Sequence, residues 1–182
     1  MPRACQVAVN ISPLQFNRGD FLSLVRSALE ESGLSPKHLE LELTESVLID
    51  QSERMIQNLA GLKDLGVEVS IDDFGTGYSN LAYLKTFHVS VLKVDRSFIS
   101  RILSNEQDRV IVEAILQMAS QLQLKVVAEG VESLDVANAL RDMGCDMGQG
   151  YFWSRPLEEE SFIQFLVRQG DRSAGTSNIH SI

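Results

Sequence analysis

Val67-Glu68-Val69-Ser70-Ile71-Asp72-Asp73 decides how the chain is to be read. Apolar residues alternate with polar ones as in a β-strand, and the strand ends on two adjacent carboxylates. Phe74-Gly75-Thr76-Gly77 follows, without the two-residue turn that would fold the strand back as a hairpin. A strand that releases acidic side chains at its C-terminal end and then crosses over is the unit of a parallel sheet.

Five similar segments flank it. Gln6–Asn10 (QVAVN) and Leu39–Glu45 (LELELTE) come before it. Val91–Asp95 (VLKVD), Lys125–Glu132 (KVVAEGVE) and Met147–Trp153 (MGQGYFW) come after it. Helical periodicity fills the intervals over Phe21–Glu31, Ser52–Leu65, Glu106–Leu122, Leu134–Met143 and Leu157–Gln169. Gly33, Gly66, Gly144 and Gly170 stand where helix stops are expected. Gly77–Lys85 has room for a short helix only. Strand alternating with helix predicts an α/β fold with parallel strands and right-handed crossovers. An open doubly wound sheet and most of a barrel both satisfy this pattern.

The 182 residues suffice for one core and are short for two domains. An apolar fraction of 44% and a charged fraction of 23% are those of a globular protein. The net charge of −9 leaves no basic face for polymeric nucleic acid. An acidic site still accepts an anion when bound cations invert the local charge. Cys5 and Cys145 have no metal or redox spacing, and His38, His88 and His180 form no HExxH pattern, so no zinc site is expected. No run reaches the ~18 apolar residues of a membrane span, and the N-terminus lacks the apolar stretch of a signal peptide. The expected location is the cytoplasm.

Each expected strand carries a polar group near its C-terminal end: Asn10, Glu42, Asp72–Asp73, Lys93, Glu129 and Gln149. In a parallel barrel those ends share one face, so the groups converge. Asn, Glu and Asp oxygens together are hard ligands for a divalent cation. A lysine among them can orient a water or neutralise phosphate. Taken singly, each has a structural explanation: a turn for Asn10 and Asp72–Asp73, a solvated edge for Glu40 and Glu42, an ion pair for Lys93–Asp95, a buried acid for Glu129 and closing contacts for Gln149. Residues that follow one another in a strand point to opposite sides, so Asp72 and Asp73 are expected to diverge. Gly75–Gly77 lacks the following Lys-Ser/Thr of a phosphate loop.

Taken together and in order, VNIS, ELTES, IDDFGTGYS, LKVDRSFI, VVAEGVE and GQGYFWSRP resemble the successive signatures of EAL domains, the bacterial cyclic di-GMP phosphodiesterases. The resemblance covers Gln6 to Pro156. It implies a TIM-type (β/α)8 barrel and hydrolysis of cyclic di-GMP to linear pGpG with Mg²⁺ or Mn²⁺. It further implies that Asn10, Glu42, Asp72 and Asp73 are metal ligands and that Lys93 and Glu129 are catalytic. Ser12, Asp95 and Gln149 would line the substrate, and Glu45 would steady the loop Phe74–Asn80.

The family's Glu-Ala-Leu signature, which precedes VNIS, is absent here. Six strands are visible where a complete barrel needs eight, so the expectation is an incomplete barrel lacking its first two strands. Residues 1–170 would be the partial EAL domain and 171–182 a disordered tail. The chain would be a fragment of a longer enzyme and inactive alone, a natural short form that binds weakly or not at all, or a barrel completed through another chain. Self-association or poor solubility is expected from the open edges, and the expected partners are a second copy in a homodimer or fused regulatory domains. The alternative function is a non-catalytic module that binds cyclic di-GMP or another protein. A third is a lyase with Lys93 as base.

Overall fold

The computed structural model describes residues 6–49, 52–77, 84, 87 and 89–172. Cys5, His88, His180 and residues 173–182 lie outside these. So does most of the Gly77–Lys85 segment.

Six strands form one parallel sheet in the order β1-β2-β3-β4-β5-β6, so every strand pairs with its neighbour in sequence. They are β1 (Val7–Ile11), β2 (Leu39–Thr44), β3 (Glu68–Phe74), β4 (Val91–Val94), β5 (Lys125–Ala128) and β6 (Met147–Gly148). The helices are α1 (Pro13–Phe16), α2 (Phe21–Ser32), α3 (Glu53–Leu65), α4 (Arg96–Ile99), α5 (Glu106–Leu122), α6 (Leu134–Asp142) and α7 (Glu159–Arg172). The expected α/β alternation is thus present.

The period of the strands sorts their side chains onto two faces. Leu41 and Leu43 of β2, Val69 and Ile71 of β3, Leu92 and Val94 of β4, and Val126 and Ala128 of β5 are buried. They form one core with Val25 and Leu29 of α2, Leu59 and Leu62 of α3, Val112 and Ala119 of α5, and Leu140 of α6. Each buried aliphatic side chain stabilises this layer by about 1.5–3 kcal/mol. The other face carries Glu42, Ser70 and Lys93, which are also buried. Glu42 is therefore not on a solvated edge, and β2 is covered on both sides.

Caps fix the helix ends and thereby the loops at the rim. Ser52 and Ser133 accept from the N–H groups of Met55 and Val136 at the starts of α3 and α6. Gly33 and Gly66 close α2 and α3 in the left-handed region. Gly170 does not stop α7, which runs through it to Arg172. The helix thus takes in the first two residues of the expected tail. Glycine inside a helix costs only about 1 kcal/mol relative to alanine.

The fifth and sixth strands are shorter than the sequence predicts. Gly130, at φ 68, turns the chain away after Glu129. At β6 the pairing passes to single backbone bonds: Gln149 N–H donates to Ala128 O at 2.8 Å and Val131 N–H to Gln149 O at 3.0 Å. Gly150 is obligatory there, because an added Cβ would stand 2.1 Å from Val131 O. At the opposite edge, Val7 and Val9 of β1 are 47% and 39% exposed. Among the described residues, no helix is long and apolar enough to cross a membrane.

Candidate metal and catalytic centre

Lys93 stands at the centre of the polar face. Its Nζ lies 2.7 Å from Glu42 Oε1, 2.7 Å from Glu129 Oε1 and 3.3 Å from Asp72 Oδ1. Four strand ends therefore converge through one ammonium group. Burial alone would depress its pKa. The hydrogen bonds to Glu129 and Glu42 and the charge of Asp72 outweigh that and raise it well above the ordinary lysine value. Lys93 is a fixed cation here and holds its proton.

The pKa of Glu129 is raised as well, which for a carboxyl favours the neutral form. Burial raises its pKa, Lys93 opposes this, and the negative charges of Asp72 and Glu42 add to the rise. One cation thus faces three carboxylates, which leaves the centre with net negative charge.

Asp72 and Asp73 do not diverge. The register runs Ile71↔Leu92 and then Phe74↔Val94, so three steps along β3 match two along β4. The extra residue makes a bulge. Asp73 takes φ 56 within it, a left-handed conformation that aspartate tolerates better than most residues. Carboxylate oxygens of Asp72, Asp73 and Glu129 consequently lie within 4.8 Å of one another. Burial, then the charges of Asp72 and Asp95, raise the pKa of Asp73.

This cluster fits a hard divalent cation. All three donors are carboxylate oxygens. Asp72 Oδ1 is buried and makes no hydrogen bond, since Lys93 approaches it without hydrogen-bond alignment. A buried carboxylate oxygen so placed is costly unless something coordinates it.

The remaining site candidates are placed as follows. Asn10 is exposed at the end of β1 and is the register partner of Glu42. Ser12 caps α1, accepting from Gln15 N–H and meeting Gln15 Oε1 at 2.9 Å. Asp95 lies beyond β4 rather than in it and caps α4 by accepting from Ser97 N–H at 2.9 Å. Gln149 is half-buried, and its backbone ties β6 to β5. Glu45 is buried, and its Oε2 accepts from Gly75 N–H at 3.1 Å and Gly77 N–H at 3.0 Å. It thereby pins the turn that follows Asp72–Asp73.

Three features of the rim are not among the residues that the sequence motifs single out. Thr76 Oγ1 donates to Asp73 O at 2.8 Å and holds the end of the bulge. Arg96 reaches Glu132 across the next loop. Gly150 passes against the backbone of Val131. Gly130 and Gly150, glycines where strands should have continued, were the available signal for the last two.

Known proteins place this arrangement. Residues 1–156 match the EAL domain family. The cyclic di-GMP phosphodiesterase NbdA of Pseudomonas aeruginosa is 47% identical over 161 residues, which are 88% of this chain and 21% of that protein. The structure of the P. aeruginosa MucR phosphodiesterase in complex with cyclic di-GMP superposes with a TM-score of 0.82 at 43% identity. The match covers 86% of this chain and 64% of that one. Klebsiella pneumoniae BlrP1, with manganese and cyclic di-GMP, superposes at 0.77 with 32% identity, over 85% of this chain and 40% of that one. The chain spans about a fifth of the length of the curated relatives it matches. With residues 1–156 matched by the family model and its six-stranded parallel sheet shared with EAL structures, the chain belongs to the EAL domain family and forms part of that family's TIM-type barrel.

Proposed function

We propose that this chain carries most of the active site of a divalent-metal-dependent phosphodiesterase that opens cyclic di-GMP to linear pGpG. The single observation that supports it best is Lys93 held by Glu42, Asp72 and Glu129 beside the Asp72–Asp73–Glu129 cluster. The names of NbdA, MucR and BlrP1 supply the substrate class.

Asp72, Asp73 and Glu129 hold the cations, with Asn10 and Glu42 joining from the neighbouring strands. Mg²⁺ or Mn²⁺ held there would polarise the phosphoryl oxygens and make a water more acidic. Lys93 orients the attacking water and keeps its own proton. Glu129, which faces both Lys93 and the cluster, receives a proton from that water. Ser12, Asp95 and Gln149 line the bound dinucleotide, and Glu45 keeps the Asp72–Asp73 turn in place. The length of the relatives favours regulatory domains fused to this one, acting in the cytoplasm, and the exposed edge of β1 favours a homodimer.

The test is incubation with cyclic di-GMP and Mn²⁺, scored by appearance of pGpG, in parallel with Asp72→Ala and Glu129→Ala. Turnover lost in both variants supports the reading. Binding without turnover in the parent chain replaces it with the non-catalytic receptor, and neither binding nor turnover overturns both.

A further inference from the structure

Among the described residues, a second cation stands at the rim outside the carboxylate cluster. Arg96 opens α4, directly after Asp95. Its Nη2 donates to Glu132 Oε1 at 2.6 Å, and the two side chains are 60% and 52% exposed. Its stem lies across Gly130. A Cβ placed on Gly130 would stand 2.3 Å from Arg96 Cγ, 2.7 Å from its Cβ and 2.8 Å from its Cδ. Gly130 follows Glu129, whose own N–H is tied to Val94 O at 3.1 Å. The base of the arm is therefore seated against the peptide that carries Glu129, and its head stays in water.

An ion pair this exposed contributes little to stability, and its partners exchange readily. Lys93, by contrast, is fully engaged by three carboxylates. A phosphodiester that enters this acidic rim gains from a side-chain cation that is free to turn toward it, beside any bound metal. A guanidinium matches two phosphate oxygens with its planar fork. We propose that Arg96 is a substrate-contacting residue: its guanidinium leaves Glu132 and takes a non-bridging phosphate oxygen of the cyclic dinucleotide. The proposal rests on the phosphodiesterase reading above.

Initial-rate kinetics with cyclic di-GMP and Mn²⁺, together with Mn²⁺ affinity measured calorimetrically, test it on Arg96→Ala, Arg96→Lys and Glu132→Gln. Arg96→Ala should raise KM by ~10-fold or more, with kcat held within ~3-fold and Mn²⁺ affinity unchanged. Arg96→Lys, which keeps the charge without the fork, should fall between Arg96→Ala and the parent. Glu132→Gln should leave KM at or below the parent's. A parental KM in either Arg96 variant overturns the proposal, as does a KM raised by Glu132→Gln. A loss of kcat accompanied by weaker Mn²⁺ binding also overturns it, because Arg96 would then act by positioning Glu129. If Arg96→Ala does not fold, Arg96→Lys decides alone. A parent that neither binds nor hydrolyses cyclic di-GMP removes the phosphodiesterase reading and this one with it, whereas an active parent with indifferent Arg96 variants removes this one only.

Discussion

Lys93 Nζ lies 2.7 Å from Glu129 Oε1, and Glu129 in turn belongs to the carboxylate cluster with Asp72 and Asp73. The ammonium group thus joins Glu42 to the carboxylate cluster.

Lys93→Met leaves Glu42, Glu129 and Asp72 facing one another without their cation. Removing one partner of a buried charge network costs about 3–5 kcal/mol. Urea unfolding at neutral pH without divalent ions should show that loss, and Mn²⁺ should restore part of it. A Lys93→Met chain as stable as the parent in the absence of metal would refute the network.

Glu45→Ala removes the acceptor shared by Gly75 and Gly77. Two backbone donors lose a charged partner, at a combined cost of about 2–3 kcal/mol. Hydrogen exchange at those two amides should accelerate by ~10-fold or more, since local protection follows local stability. Glu45→Gln, which keeps one acceptor oxygen, should be intermediate. Unchanged exchange in Glu45→Ala would mean that the turn holds itself.

Gly150→Ala directs a methyl group at the Val131 backbone, 2.1 Å from its O and 2.4 Å from its N. Backbone cannot swing aside as a side chain can, so about 3 kcal/mol of stability should be lost. Gly19→Ala is the control, because nothing lies within 4 Å of the added atom. Equal urea midpoints for the two variants would contradict the close approach.

Cys145 supplies a pH dependence away from the acidic rim. Burial raises its thiol from 9.0 to about 11. The folded state therefore keeps the proton longer than the unfolded chain does. The stability this confers is complete below pH 9 and is lost as pH rises toward 11. At pH 8 the folded thiolate should be ~100-fold scarcer than the unfolded one. Alkylation by iodoacetamide in a Cys5→Ser background should be slower in native protein than in urea by a similar factor. Equal rates would show an open thiol.

Glu42, Lys93 and Glu129 are legible in the sequence as a converging set because parallel strands deliver their C-terminal ends to one place, although periodicity misses where β5 and β6 stop. Asp72 and Asp73 were legible as residues but not in direction. The bulge that turns both to one side depends on the register against β4, which no local pattern encodes. Ser12 and Asp95 read as rim residues, yet their side chains also cap helices, and short helices such as α1 and α4 give too little periodicity to reveal it. Arg96 and Glu132 are far apart in sequence. They meet only because Gly130 lacks a side chain, which is a property of packing. The failed stop at Gly170 has the opposite cause: a local preference that the helix did not need.

The left-handed turn at Asp73 also restricts what can replace it. Asparagine suits that backbone as well as aspartate does, and it preserves the shape of the pocket while deleting a charge. A chain carrying asparagine there would keep the shape of the rim and have one carboxylate fewer to offer a cation. One substitution would thus lower the charge of the cluster at the position where the backbone least resists it.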